Sequence, residues 1–143
     1  MELAVEAKSE NITKVSIQEM FSNTAMVSFK IDSETFNCVQ QFMGYYKAMM
    51  FNDIGIAYEI LRESNIDKQK VLIEKIIYNE DVWDCLRYDI LSKGIRRKVL
   101  QNPELKNYLA EFKECEIDFY KFDESDKVNE MMNKVLTNLA RRL

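Results

Sequence analysis

Three glycines and one proline are all the backbone breakers that this 143-residue chain contains. Many-turned β architectures draw on Gly and Pro at their turns, and linker-rich or collagen-like chains need far more of both. A chain so poor in them, and rich in Leu, Ile, Lys, Glu and Met, is committed to helices. Hydrophobic residues make up 47% and charged residues 31%. That is enough apolar surface for a core and enough charge to wet the outside, which excludes disorder. The length suits one domain spanning 1–143, with 1–15 as a loose arm that lacks a clear period.

The one β signal lies at 26–38. Val27, Phe29 and Ile31 alternate with Ser28 and Lys30, Asp32-Ser33-Glu34 is a turn cluster, and Thr35 to Cys38 resumes a β-prone run. This predicts a short hairpin. Helical spacing then takes over in Val39–Asn52, with Val39, Phe42, Met43, Tyr46, Met49 and Met50 on one stripe. Further helices are expected at Ile54–Arg62, Lys68–Tyr78 and Val82–Leu100, the last capped by Asp81 and closed by Arg96, Arg97 and Lys98. Another is expected from Pro103, capped by Asn102, to Glu111. Residues 112–126 read as a short strand and a loop around Ile117, Phe119 and Phe122. The last helix carries Val128, Met131, Met132, Val135, Leu136 and Leu139 at i, i+3, i+4, i+7, i+8 and i+11. The fold class is α+β, mostly helical, with a short N-terminal β-hairpin.

Composition also narrows the chemistry. Histidine is absent, so there is no Ser-His-Asp or Cys-His unit and no His-ligated metal. Acid–base work falls to carboxylates, Lys, Tyr or bound water. Lys+Arg 20 against Asp+Glu 24 gives a net charge of −4, which offers no case for long nucleic acid. Cys38, Cys85 and Cys115 form no CxxC pair and read as free thiols in a reducing cytoplasm. The opening MELAVEAKSE, with Glu2, Glu6 and Glu10, is unlike a signal peptide. No apolar run approaches the roughly 20 residues that span a bilayer. A cytoplasmic protein with no metal, no cofactor and no membrane contact is expected.

Four clusters stand out. Gln40-Gln41-Phe42-Met43-Gly44-Tyr45-Tyr46-Lys47 concentrates amide, phenol and ammonium groups on one helix. Its interior Gly costs about 1 kcal/mol relative to Ala, so it calls for a packing or ligand reason. Trp83 and Arg87 are four apart on one helix face. Phe21-Ser22-Asn23 precedes the hairpin. Asp118 and Asp123 are loop carboxylates among aromatics, of the kind that serve as general bases or ribose acceptors.

In order, these clusters resemble the NADAR family from about Phe21 to the C-terminus. Its phenylalanine–serine–asparagine element matches Phe21-Ser22-Asn23, followed by Phe29-Lys30-Ile31 and Phe36. Its glutamate–histidine helix running to a lysine matches Val39 to Lys47, with Ala48 and Phe51 after it. Its tryptophan and basic helix match Trp83 through Arg87, Arg96, Arg97, Lys98 and Gln101. Pro103 to Leu109, Ile117-Asp118 with Asp123, and Asn133 through Arg142 complete the likeness. The resemblance implies action on NAD- or ADP-ribose-type metabolites, as N-glycosidases of riboflavin intermediates or of ADP-ribosylated guanine. It also implies a catalytic glutamate on the first helix, and that position is Gln40 here, with Gln41 in place of the histidine. The tryptophan–glycine after the acidic loop is replaced by Asp126-Lys127, and the glycine of the last helix by Leu136.

Glu to Gln keeps size and hydrogen bonding but removes the proton acceptor. The leading expectation is therefore a pocket that binds a small nucleotide or ADP-ribose derivative without efficient cleavage, as a phage-encoded sponge for a defence signal would. Asn23, Gln40, Gln41, Tyr45, Lys47, Trp83, Arg87 and Lys98 are the expected ligand-binding residues. An active N-glycosidase with Asp118 or Asp123 as its carboxylate is the alternative. A protein-interaction module using the apolar stripe of the last helix, with Met131 and Met132 on it, is the third; a homo-oligomer is a separate expectation.

Overall fold

The computed structural model describes residues 17–119 and 126–143. Two strands, β1 (Phe29–Ile31) and β2 (Glu34–Phe36), are followed by α1 (Val39–Met50), α2 (Ile54–Arg62), α3 (Ile66–Glu74), α4 (Glu80–Leu100), α5 (Pro103–Ala110) and α6 (Asp126–Ala140). The architecture is α+β and mostly helical, as the scarcity of breakers requires.

The strands pair antiparallel with Phe29 opposite Phe36 and Ile31 opposite Glu34. Asp32 turns the chain with φ 55, a left-handed position that Asp tolerates better than bulky residues. Phe29 and Phe36 face inward and meet the Phe42 ring of α1 at 6.1 and 5.3 Å between centroids. The long helix α4 crosses beneath. Gly94 of α4 leaves the space that Phe42 occupies, since a Cβ there would lie 2.7 Å from Phe42 Cδ2. Gly94→Ala should therefore destabilise by about 1–2 kcal/mol despite the better helix propensity of Ala, measured by urea unfolding.

Element ends follow local chemistry. Asp53 caps α2 and Asn65 caps α3, each side chain accepting from a first-turn N–H. The third helix begins two residues before the expected Lys68 and stops at Glu74, short of Tyr78. Asn79, not Asp81, caps α4, its Oδ1 accepting from Val82 N at 3.1 Å. Asn102 precedes α5, but its amide donates to Lys98 O and Ser28 O instead of capping. The expected strand near Ile117 is not formed among the described residues. Ile117 is held instead by one tether, its N–H donating to Thr137 Oγ1 at 2.9 Å. Residues 1–16, Phe122 and Asp123 lie outside the described residues.

The stripe of α6 is core. Met132, Val135, Leu136 and Leu139 are buried with Trp83, Ile95 and Leu105 in the main cluster. The face that the interaction-module reading needed is thus spent on packing. No described helix is long and apolar enough to cross a membrane.

Candidate functional site

The first helix presents Gln40, Met43, Gly44 and Lys47 at i, i+3, i+4 and i+7, one continuous face. The third presents Ile66, Asp67, Lys70, Ile73 and Glu74 in the same way. These two faces, the 22–24 loop and Trp83 enclose a cavity of about 720 Å³, a volume ordinary for a small-molecule site. Gly44 explains the close approach of the helices. A Cβ at that position would collide with the Ile73 side chain, coming within 2.6 Å of its Cδ1. The helix-interior glycine therefore has a packing reason.

Asn23, Gln40, Lys47 and Trp83 come together on this wall. Gln40 is tied at both ends. Its backbone N–H donates to Asn23 O at 2.8 Å, and Nε2 donates to Ile66 O at 3.0 Å and Gln69 Oε1 at 3.2 Å. Lys47 is 8% exposed. Its Nζ sits 3.3 Å from the Tyr78 ring centroid and 5.0 Å from that of Trp83, a cation held by aromatic faces. No carboxylate among the described residues reaches it at ion-pair distance. Burial, then the nearby Arg87, pushes its pKa below the usual lysine range, and Asp84 opposes the shift.

The other expected residues are placed elsewhere. Gln41 is 3% exposed and faces away from the cavity lining. Its Nε2 donates to Ile60 O, Leu61 O and Glu63 O, and its Oε1 accepts from Asn37 N at 2.7 Å. It is a tertiary cap on the carbonyl end of α2. Tyr45 packs on Phe36 at 5.6 Å, where burial raises its pKa. Arg87 pairs with Asp84 at 3.8 Å on a half-exposed surface and does not line the cavity. Asp118 is exposed in the 116–119 coil and is not part of the lining.

Lys98 acts from behind the wall. It is 1% exposed, and its Nζ donates to Ser22 O at 2.9 Å, so it holds the loop that forms one side of the cavity. Burial lowers its pKa from 10.5 to about 7, against an upward pull from Cys38. The unfolded chain keeps this proton up to about 10.5. Burying the cation therefore costs stability below pH 7, and the cost is relieved as pH rises. From pH 7 to 9 the melting temperature should climb in the wild type relative to Lys98→Met, which has nothing to titrate. Above that window Cys38, with its own raised pKa, adds the opposite slope. Parallel melting curves for the two proteins would remove this assignment.

Sequence reasoning missed Gln69, Asp67, Lys70 and Glu74. Gln69 is 0% exposed, yet it sits in the run Ile66-Asp67-Lys68-Gln69-Lys70, which reads as a solvated face. Only the docking of α3 on α1 distinguishes its inward side. The charges at 67, 70 and 74 share a helix face by spacing, and that was the available signal.

The sequence matches the NADAR domain family over residues 6–134. It is 33% identical over 98 residues to N-glycosidase R617 of Acanthamoeba polyphaga mimivirus, covering 64% of this chain and 58% of that protein. It is 30% identical over 77 residues to protein irg-1 of Caenorhabditis elegans, covering 52% of this chain and 36% of that protein. The matched regions thus span less than two thirds of the length of either relative. The family match takes in both cavity helices, the 22–24 loop and Trp83, and on that extent the chain belongs to the NADAR domain family.

Proposed function

We propose that the cavity between α1 and α3 binds a small nucleotide or ADP-ribose-type metabolite and releases it uncleaved, a chemistry suited to sequestering a signalling nucleotide. One observation carries this reading. At Gln40, the position where the family resemblance implies a catalytic carboxylate, the side chain donates both Nε2 protons to Ile66 O and Gln69 Oε1. A carboxylate there would face two acceptors with no proton to give. The position is wired for an amide, and an amide is no general base at neutral pH. The rest of the wall supplies binding chemistry. Lys47 and Lys70 can meet phosphate, Trp83 offers an aromatic face, and Asp67 and Glu74 can accept from ribose hydroxyls.

Trp83 is the sole tryptophan, so its fluorescence reports the site directly. Titration with ADP-ribose or NAD should shift its emission and saturate, and chromatography of the mixture should return the ligand intact. Emission that does not change, together with unchanged melting temperature, would remove the reading. Ligand recovered split at its N-glycosidic bond would favour the second reading, an active N-glycosidase, which the name of the mimivirus relative supports. In that case Asp67 and Glu74, which line the cavity, are better placed to supply the carboxylate than Asp118.

A further inference from the structure

We propose that Gln69 is a positioning residue that fixes Gln40 as an acceptor-only group on the cavity wall. The site then selects ligands that bring a hydrogen-bond donor, a ribose hydroxyl or an exocyclic amine, to that point. The inference rests on the ligand-binding reading of the cavity and adds which chemical group the ligand must present there.

Two backbone carbonyls set the orientation of both amides, because a carbonyl can only accept. Gln69 Nε2 donates to Glu63 O at 2.7 Å and to Asn37 Oδ1 at 3.1 Å. Its Oε1 must therefore point the other way, where it accepts from Cys38 Sγ at 3.3 Å and from Gln40 Nε2 at 3.2 Å. Gln40 Nε2 in turn also donates to Ile66 O at 3.0 Å. An amide nitrogen has two protons, and both are committed. Turning the Gln40 amide over would set its oxygen against Ile66 O and Gln69 Oε1, three acceptors together with no proton among them. What Gln40 offers the cavity is Oε1 alone, with no donor from the described residues bonded to it. A phosphate or carboxylate oxygen is repelled there. The anionic part of a ligand belongs instead at Lys47 and Lys70, on the same wall.

Gln69 is buried without exposure and all its polar atoms are engaged, so this lock is part of the fold rather than a surface accident. It reaches from α3 to the start of α1 and converts their packing into a fixed polarity at one point of the site.

The test has two arms. In the first, side-chain amide exchange of Gln40 is followed by NMR in unliganded protein. Both Nε2 protons should exchange slowly, and Gln69→Leu should speed one of them. Fast exchange in the wild type overturns the lock. In the second arm, Trp83 fluorescence is titrated with ADP-ribose, its single-deoxyribose analogues and its hypoxanthine analogue. One analogue should bind about tenfold more weakly to the wild type, and its identity separates hydroxyl from amine. That ratio should collapse toward one in Gln40→Met, which keeps side-chain length and needs no intact network at Gln69. Analogues all within twofold of ADP-ribose, or a ratio unchanged in Gln40→Met, overturn the selection. Slow amide exchange with no ADP-ribose binding at all removes the ligand reading and the selection with it, and leaves the hold of Gln69 on Gln40 standing.

Discussion

Gln41→Leu should unfold about 2–4 kcal/mol more easily than the wild type, lowering the melting temperature by roughly 6–12 °C. Leucine has nearly the volume of glutamine, so the loss is one of hydrogen bonds and not of packing. The Gln41 amide is buried at the junction of α1 and α2. It donates to Ile60 O, Leu61 O and Glu63 O between 3.0 and 3.1 Å and accepts from Asn37 N at 2.7 Å. Not all of these partners are stranded by the change. Ile60 O keeps Glu63 N, and Glu63 O keeps Gln69 Nε2. Leu61 O and Asn37 N lose their bonds to the Gln41 side chain, and a stranded buried polar group costs about 1–3 kcal/mol. Gln41→Glu should be comparably harmful, since a carboxylate cannot donate to the same carbonyls. Calorimetric unfolding checks both. A variant within 1 kcal/mol of the wild type would show that the carbonyls find water, and would remove Gln41 as the tie between α1 and α2.

Lys47→Met should do the reverse, weakening binding while leaving the fold intact. The ammonium is buried against Tyr78 and Trp83, and no described carboxylate pairs with it. Burial already lowers its pKa, so the charge is held at a cost. Methionine fills similar space without that cost and gives up a cation–π contact of about 0.5–2 kcal/mol. The two effects oppose, and unfolding free energy should change by less than about 1 kcal/mol. Affinity for ADP-ribose should fall about 10- to 100-fold, the range for losing a charge-assisted hydrogen bond to phosphate. Isothermal titration read beside a melting curve separates the outcomes. A lowered melting temperature with unchanged affinity would make Lys47 a structural cation and shift the anion contact to Lys70.

The first prediction starts from a dipeptide, Gln40-Gln41, and that pair shows where reading a sequence stops. Gln40 and Gln41 are adjacent and chemically identical. In the chain alone they are equivalent candidates for ligand contact. On a helix, consecutive residues point about 100° apart. At the edge of the cavity that step is enough to send one of two neighbours elsewhere. Gln40 faces α3 and the cavity, whereas Gln41 faces the end of α2. The same geometry separates Lys47 from Tyr45, two residues and about 200° apart. Lys98 is a subtler case. It does serve the site, but through Ser22 O, because its position in the last turn of α4 places it beneath the loop.

Local chemistry carried further for the elements. The alternation through Phe29 and Ile31 and the stripe of α6 were legible because a strand or helix must put one apolar side inward, and periodicity records which side; of the stripe expected on α1, Val39 and Phe42 are buried but Tyr46 and Met49 stay exposed. The α2 limits, Ile54 and Arg62, were legible at both ends. The miss near Ile117 has a physical cause too. A strand needs a free edge to pair with, but the Gln101 side chain takes both backbone groups of Lys30 on β1, and Thr137 Oγ1 takes the Ile117 N–H. The apolar residues at 117 and 119 reach the core from a coil.

The sequence by itself determined that this chain is mostly helical, that a hairpin precedes α1, that it contains no histidine and that α1 carries amides where the family resemblance implies a carboxylate. Those properties depend on residue types and on spacing along the chain. Only the tertiary structure decided which amide meets the cavity, which one ties α2, and that Gln69, hidden in a charged run, orients the first of them. Hydrogen-bond polarity between elements depends on which atoms of distant residues come within about 3 Å, and that is set by helix packing, which no local pattern encodes.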